Sequence, residues 1–331
     1  MATYKEIHGI KVQYRDSDAT AIEGDVWYNS GTGLLKMYAS LGAWSSGGNT
    51  NTGIDAGGHC GIQTAAMYFG GRGGHPITTG VDTSETYDGS SWSETADLNT
   101  AVYQNGGFGT TTAGASFGGL TLTADTEEFN GTSWTEVNDL NNAKRAVHGT
   151  GTQTAGITAG GTPNPSGART QTELYDGTNW TEVADLNNPK QHIPLAGTNT
   201  AAIALGGMNP NSTGSTTVET WNGTSWSNDP AAMNEGRIQH AGSGTQTAAI
   251  IFGGYGGGGS TNPTANTESF DGSSWTEVAN LATARDAIMG AQSSPNTTSL
   301  ALGGQLPASS AVSNSTEEWN FAAAVETVAF D

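Results

Sequence analysis

Short apolar runs recur along the chain, and each ends on a pair of glycines. The pairs are Gly70-Gly71, Gly118-Gly119, Gly160-Gly161, Gly206-Gly207, Gly253-Gly254 and Gly303-Gly304, separated by 42 to 50 residues. A variable polar stretch follows each pair, then a Glu two residues before an aromatic: Glu85/Tyr87, Glu127/Phe129, Glu173/Tyr175, Glu219/Trp221, Glu268/Phe270 and Glu317/Trp319. Five of these units continue as Asp/Asn-Gly-x-x-Trp, which supplies Trp92, Trp134, Trp180, Trp226 and Trp275. Leu98, Leu140, Leu186, Met233 and Leu281 come next, and in four units a basic residue stands four positions later: Lys144, Lys190, Arg237 and Arg285.

This pattern predicts strands throughout. Segments such as Thr154–Gly161 and Thr172–Tyr175 are short, and Gly, Pro, Asn and Asp interrupt the chain every 8–12 residues. Asp-Gly and Asn-Gly between two runs mark hairpins, because their turns need positive φ; the two residues before each Trp lengthen the loop. No apolar period of 3.6 residues is sustained. Each unit holds about four strands, and one such sheet cannot bury both of its faces. Stacking sheets around an axis solves that, and a repeat of about 40–50 residues falls in the range of β-propellers.

The succession of apolar-Gly-Gly, Glu-x-aromatic-Asp/Asn, Trp, Leu/Met and a basic residue resembles the kelch repeat over roughly residues 55–320. The resemblance implies an all-β, kelch-like β-propeller of four-stranded blades: six as the first choice, seven as the alternative. It places Gly-Gly at the end of strand b, Glu-x-aromatic on strand c and Trp at the start of strand d. Thr172–Asp176 would then be a c strand and Trp180–Asp185 a d strand. The first unit departs from the pattern, with Val102 at the basic position, and the last lacks Gly-x-x-Trp after Trp319. The final blade could close through Ala323–Phe330 or through Gly42-Ala43-Trp44. Residues 46–331 would form the propeller.

Residues 1–45 stand outside the repeat and read as a β module for anchoring or docking. The run from Gly24 to Tyr38 predicts a hairpin with a Gly-rich turn, continuing to Trp44. It is similar to short β modules of bacteriophage tail-fibre and virion proteins. Two strands alone are marginal, so Trp27, Tyr28, Met37 and Tyr38 need either the propeller or another protein to cover them.

Composition narrows the functions. With 11 Lys+Arg against 31 Asp+Glu the formal net charge is −20, which disfavours general nucleic-acid binding. One cysteine, Cys60, excludes an intrachain disulfide framework and a Cys-cluster zinc site. Apolar runs of about five residues, such as Ala248–Phe252, are too short for a helical membrane span. The start, Met1–Lys11, has no apolar signal region. Four of the six histidines (His59, His148, His192 and His240) precede strand b, each in a different unit. Their offsets from Gly-Gly scatter in parity, which argues against one face and against a metal site. The repeated Glu and Trp read as structural: Glu85, Glu127, Glu173, Glu219, Glu268 and Glu317 as hydrogen-bond acceptors or partners of the basic residues, and the Trp residues as packing between blades. One Glu per blade gives no acid/base asymmetry for glycoside hydrolysis. No nucleophile elbow, phosphate loop or zinc-protease motif is present, and no cofactor is expected.

Loops on a rigid scaffold carry most binding functions. The stretches after Gly-Gly vary most, and the connections that carry the basic residues emerge at the same end. The candidate ligand or partner face therefore comprises Arg72, His75, Lys144, Arg145, Lys190, Met208, Arg237, Tyr255, Arg285 and Gln305; alternatively, the basic residues are engaged in hydrogen bonds between blades. The leading expectation is a non-enzymatic bacteriophage virion or tail-fibre component, assembled in the host cytoplasm. Its partners would be other virion proteins and a host-surface glycan or protein, with no membrane insertion. The alternatives are a structural or decorating virion protein, a sugar-acting propeller enzyme and a kelch-type protein-binding adaptor.

Overall fold

The structure, a computed structural model, describes residues 13–17, 25–73, 79–120, 123–163, 167–256, 262–307 and 311–327, with the side chains of 38–41 and 322–326 outside the description. Every regular element among the described residues is a β-strand. The chain divides into a smaller unit, Met1–Ala43 with Asn320–Asp331, and a larger one, Trp44–Trp319.

In the smaller unit β1 (Gln13–Arg15) runs parallel to β2 (Val26–Asn29), and β2 forms the expected hairpin with β3 (Leu34–Ser46). Asn29 closes the turn: its Oδ1 accepts the N–H of Thr32 and its carbonyl accepts the N–H of Gly33, which sits at φ 72°. Trp27 is fully buried, with the Arg15 guanidinium 5.0 Å from its ring centre and Arg15 paired to Asp25 at 2.8 Å. It is therefore a packing residue and not an exposed docking residue. Tyr28 is half-buried against Tyr14, while Met37 is exposed. The side chain of Tyr38 lies outside the described residues.

The larger unit contains five four-stranded antiparallel sheets, each following the chain order. The first is β4 (Gly58–Ile62), β5 (Ala65–Phe69), β6 (Ser84–Tyr87) and β7 (Trp92–Glu94). The second is β8 (Gly106–Thr110), β9 (Ala113–Phe117), β10 (Thr126–Phe129) and β11 (Trp134–Val137). The third is β12 (His148–Thr152), β13 (Ala155–Ala159), β14 (Thr172–Tyr175) and β15 (Trp180–Val183), close to the expected c and d strands. The fourth is β16 (Leu195–Thr198), β17 (Ala201–Leu205), β18 (Val218–Trp221) and β19 (Trp226–Asn228). In the fifth, β21 (Ala241–Thr245) and β22 (Ala248–Phe252) precede β24 (Thr267–Phe270) and β25 (Trp275–Val278), while β20 (Arg237–Ile238) and β23 (Tyr255–Gly256) form a separate ribbon. The last sheet joins β26 (Met289–Gly290), β27 (Thr298–Leu302) and β28 (Thr316–Thr327), and β3 lies next to β28.

The first strands neighbour one another in a closed succession: β4, β8, β12, β16, β21, β26 and β4 again. The apolar core lies between sheets, not within them. Each apolar cluster draws from two consecutive sheets; one joins Tyr68, Tyr87 and Trp92 of the first to Met289, Leu300 and Leu302 of the last. Both faces of an inner strand are thus covered, which is why β22 and β27 are buried at four of their five positions. This all-β arrangement of four-stranded antiparallel sheets is compatible with a β-propeller.

Two devices join each sheet to the next. The second glycine of every pair donates its N–H to the carbonyl of the residue at the basic position of the following unit: Gly71 to Val102, Gly119 to Lys144, Gly161 to Lys190, Gly207 to Arg237, Gly254 to Arg285 and Gly304 to Ile54, at 2.7–3.2 Å. Both glycines of all six pairs have positive φ, and a Cβ on Gly70 would stand 2.7 Å from the Val102 carbonyl. Only glycine satisfies that turn without strain. The second device is the repeat Trp, which packs on its own strand-c aromatic and, in Trp92, Trp134, Trp180 and Trp226, donates backwards. Trp180 Nε1 bonds to Thr126 Oγ1 at 3.1 Å and Trp226 Nε1 to Thr172 Oγ1 at 2.9 Å.

Trp44 supplies the same contacts to the last sheet. It lies 5.5 Å from Trp319, the range of the other aromatic–Trp pairs, and its Nε1 donates to Thr267 Oγ1 at 3.1 Å. The N-terminal Gly42-Ala43-Trp44 alternative is therefore realised, and Ala323–Thr327 continue β28 instead of turning back as an outer strand. Replacing Trp44 by Ala is expected to lower stability by about 3 kcal/mol and to shift one cooperative urea transition of the larger unit. A change confined to residues 25–46, with that transition unmoved, would contradict this closure.

Candidate functional site

Each connection that enters a sheet is anchored on a buried carboxylate of that sheet. Glu173 accepts the backbone N–H of Asn141 at 2.8 Å and its Nδ2 at 2.9 Å, and pairs with Lys144 at 3.1 Å. Glu219 accepts from Asn187 and Asn188, with Lys190 Nζ at 3.9 Å. Glu268 accepts from Asn234 N and Arg237, and Glu317 from Ala282 N and Arg285, each at 2.7 Å. Burial depresses the ammonium of Lys144, and pushes that of Lys190 down to about 8 against the pull of Glu219. The Arg285 guanidinium is likewise lowered by burial. All four cations are at most 2% exposed. Their side chains pair inside the fold and are not exposed on the surface for a ligand to contact, which is the alternative the sequence left open.

Two anchors have no cation partner among the described residues. Ile54 and Val102 occupy the basic position before the first and second sheets. Glu85 accepts the N–H of Asn51 and the hydroxyl of Tyr68, whereas Glu127 accepts Asn99 N, Asn99 Nδ2 and Thr100 N.

Two residues past the basic position the backbone turns left-handed in every unit, at Ala56, Gln104, Ala146, His192, Gln239 and Ala287, with φ of 47–58°. None is glycine, so the conformation is strained and held by its surroundings. The surroundings are one another: Ala56 N donates to Ala287 O, Gln104 N to Ala56 O, Ala146 N to Gln104 O and His192 N to Ala146 O. These residues line one cavity at the centre of the succession of first strands. Residue identity gives no hint of this ring, since Ala, Gln and His carry no left-handed signature. The register relative to Lys144 and its equivalents was the available signal.

The residue before each ring member pairs with the residue after Gly-Gly: Asp55 with Arg72, Tyr103 with Leu120, Arg145 with Thr162, Gln191 with Met208, Ile238 with Tyr255 and Asp286 with Gln305. These pairs form a rim beside the cavity, and their chemistry does not repeat. Arg72 clamps Asp55 through Nε at 3.0 Å and Nη2 at 2.7 Å, and lies 5.7 Å from the Tyr103 ring centre. Arg145 donates to Gln104 Oε1 at 3.1 Å. Burial, reinforced by the Asp55 charge, pushes Asp286 up to about 6. Burial also raises Asp55, outweighing Arg72, and raises Tyr255, which faces Asp286. Arg72, Arg145, Met208, Tyr255 and Gln305 are half-buried and reach the rim, while His75 lies outside the described residues. The sequence reasoning overlooked Asp55 and Asp286, which break the regularity that the repeated Glu keeps.

His59, His148, His192 and His240 line the cavity together, despite their mixed parity. They stand three, two, zero and one residues past the left-handed position, so the cavity collects side chains from every place on the entry to the first strands. Among the described residues no three His, Cys, Asp or Glu groups are placed to hold a metal ion.

Glu268→Gln, which takes the nearer carboxylate from buried Arg237 and leaves Glu235 at 3.8 Å, is expected to cost about 3 kcal/mol. Glu127→Gln, which weakens N–H bonds alone, should cost about 1–3 kcal/mol. Urea midpoints compare the two, and equal losses would contradict a role for the cation. The imidazoles give a pH signature. Burial lowers His59 and His192 to about 4, His240 to about 3 and His148 in the same direction. The unfolded chain therefore binds more protons below about 6.5, and stability falls as the pH drops from there toward 4. Asp286, raised to about 6, and Asp55, raised by burial, oppose this, since each favours the folded state as the pH falls toward 3.8. The four imidazoles outnumber the two carboxyls, so unfolding titrations should show a net loss, reduced in His59→Gln. A profile flat between pH 6.5 and 4.5 would contradict their neutral burial.

No protein-family model matches the chain, and a search of curated proteins gives no match.

Proposed function

We propose that the chain is a six-bladed, kelch-like propeller that binds a partner through the rim around its central cavity, without catalysis. The observation that carries this reading is the contrast between repeated interior and varied rim. Glycine latches, carboxylate anchors and tryptophans recur from sheet to sheet, while the rim collects Arg72, Tyr103, Arg145, Met208, Tyr255 and Asp286 without repetition. A fold alone would need only the interior set. Planar polar groups beside half-buried tyrosines suit hydroxyl-rich ligands, so a host-surface glycan is the leading partner class and a protein the next. The placement in a bacteriophage virion or tail fibre rests on the likeness of residues 24–44 to phage β modules.

A sugar-acting enzyme is the second reading, favoured by the Asp55–Asp286 pair with its raised carboxyl. Arg72 covers Asp55, which is fully buried, and this favours binding over turnover.

Glycan-array binding by the purified chain tests the reading. Arg72→Glu, Arg145→Glu and Tyr255→Ala are each expected to weaken the bound signal about tenfold, the loss of one interfacial anchor. Thr112→Arg, in the turn at the other end of β8 and β9, should leave the signal unchanged. Binding insensitive to all three rim changes would overturn it, and hydrolysis of an arrayed glycan near pH 6 would establish the enzyme instead. Antibody labelling of particles that carry the chain tests the virion placement: label at a fibre tip supports it, and particles without label contradict it.

A further inference from the structure

Behind the rim, the four imidazoles face a cavity of about 30 Å3, room for one or two water-sized groups. The His59 and His148 rings are 5.7 Å apart. His240 is fully buried and, among the described residues, neither of its nitrogens completes a hydrogen bond, although the backbone of Leu205 approaches the ring. An imidazole N–H left without an acceptor in the interior is costly, and the cavity is where an acceptor can sit. Farther along the centre, Gln292 reaches from the last sheet to the carbonyls of Gly107 and Gly149, at 2.6 and 3.1 Å, and crosses the middle of the ring.

The charges around the cavity choose its occupant. On the segments that bound it, Asp55 is clamped by Arg72, Lys190 by Glu219, Arg237 by Glu268 and Arg285 by Glu317. Asp286 has its carboxyl shifted toward the neutral form by burial. Arg145 makes no ion pair among the described residues, and its charge acts on His192. The His240 ring feels Arg237 and Lys190 as well. A metal cation would meet these positive groups without three converging ligands. An anion meets attraction and a free N–H donor.

We propose that this cavity binds one small monovalent anion of halide size and that a proton from solvent settles on an imidazole as it binds. His59 Nδ1 faces the Gly57 carbonyl at 3.2 Å, which places its proton there and leaves Nε2 as an acceptor. Protonation of such a nitrogen turns it into a second donor toward the anion. Charge balances within the cavity, since the imidazolium and the halide cancel. The anion offsets the desolvation that otherwise keeps these rings neutral. Affinity should then rise about tenfold for each unit that the pH falls between about 6.5 and 4.5, the linkage expected for one proton taken up per anion.

The test uses the full chain and chloride itself. Excess 35Cl line broadening is expected at pH 5, weak at pH 8, displaced by bromide and unaffected by sulfate. His240→Leu and His148→Gln, each checked for folding, should abolish it. Should both variants unfold, chloride added to the unbuffered native protein at pH 5.5 decides, and uptake approaching one proton per chain at saturation is expected. Absent or pH-independent broadening, broadening retained in either folded variant, or chloride addition without proton uptake would each overturn the proposal.

Discussion

The hydrogen bond from the second glycine of each pair to the entry residue of the next unit is the interaction on which the remainder depends. Six such bonds link each sheet to its successor, and the bond from Gly304 to Ile54 returns to the beginning. A four-stranded sheet with two apolar faces is unstable alone, so every sheet needs its neighbours in place. The latch fixes that placement through the backbone. It leaves the side chains around it free to vary, and makes glycine obligatory where a Cβ would strike the acceptor carbonyl.

Carboxylate anchors and left-handed residues follow from the same geometry. A connection leaving one outer strand must cross to the centre before entering the next sheet. Glu on the third strand holds the outer part of that crossing, and a positive φ turns its inner part into the first strand. Where the basic residue is missing, Glu85 gains the Tyr68 hydroxyl, while Glu127 keeps the Asn99 and Thr100 donors whose counterparts, Asn187 and Asn188, also serve Glu219. The backbone donors are thus common to the anchors, and the cation is an addition to them.

Much of this was legible in the sequence because latch, anchor and stacking Trp each demand one residue type at a fixed offset. The likeness of that pattern to the kelch repeat placed Gly70-Gly71, Glu173 and Trp180 on strand ends, third strands and fourth strands. Trp44 was harder, since its partner Trp319 lies at the other end of the chain and no local pattern joins them. Asp55 and Asp286 escaped because functional asymmetry is by nature unrepeated, and a repeat search suppresses it. Parity argued against a common face for the histidines, yet residues zero to three places past the left-handed turn all line the cavity. Trp27 read as a docking residue from its neighbours in sequence, but Arg15 and Asp25 enclose it.

The rim inherits its rigidity from these bonds. Arg72, Tyr255 and Asp286 each lie within two residues of a latch or of the left-handed ring, so their positions are set by backbone hydrogen bonds that the repeat maintains. Native-state hydrogen exchange of the six latch amides, Gly71, Gly119, Gly161, Gly207, Gly254 and Gly304, tests the closed succession most directly. A ring that opens as one cooperative unit requires all six to exchange at the free energy of global unfolding. Early exchange of Gly304, with the other five still protected, would show an open succession of sheets and contradict the account.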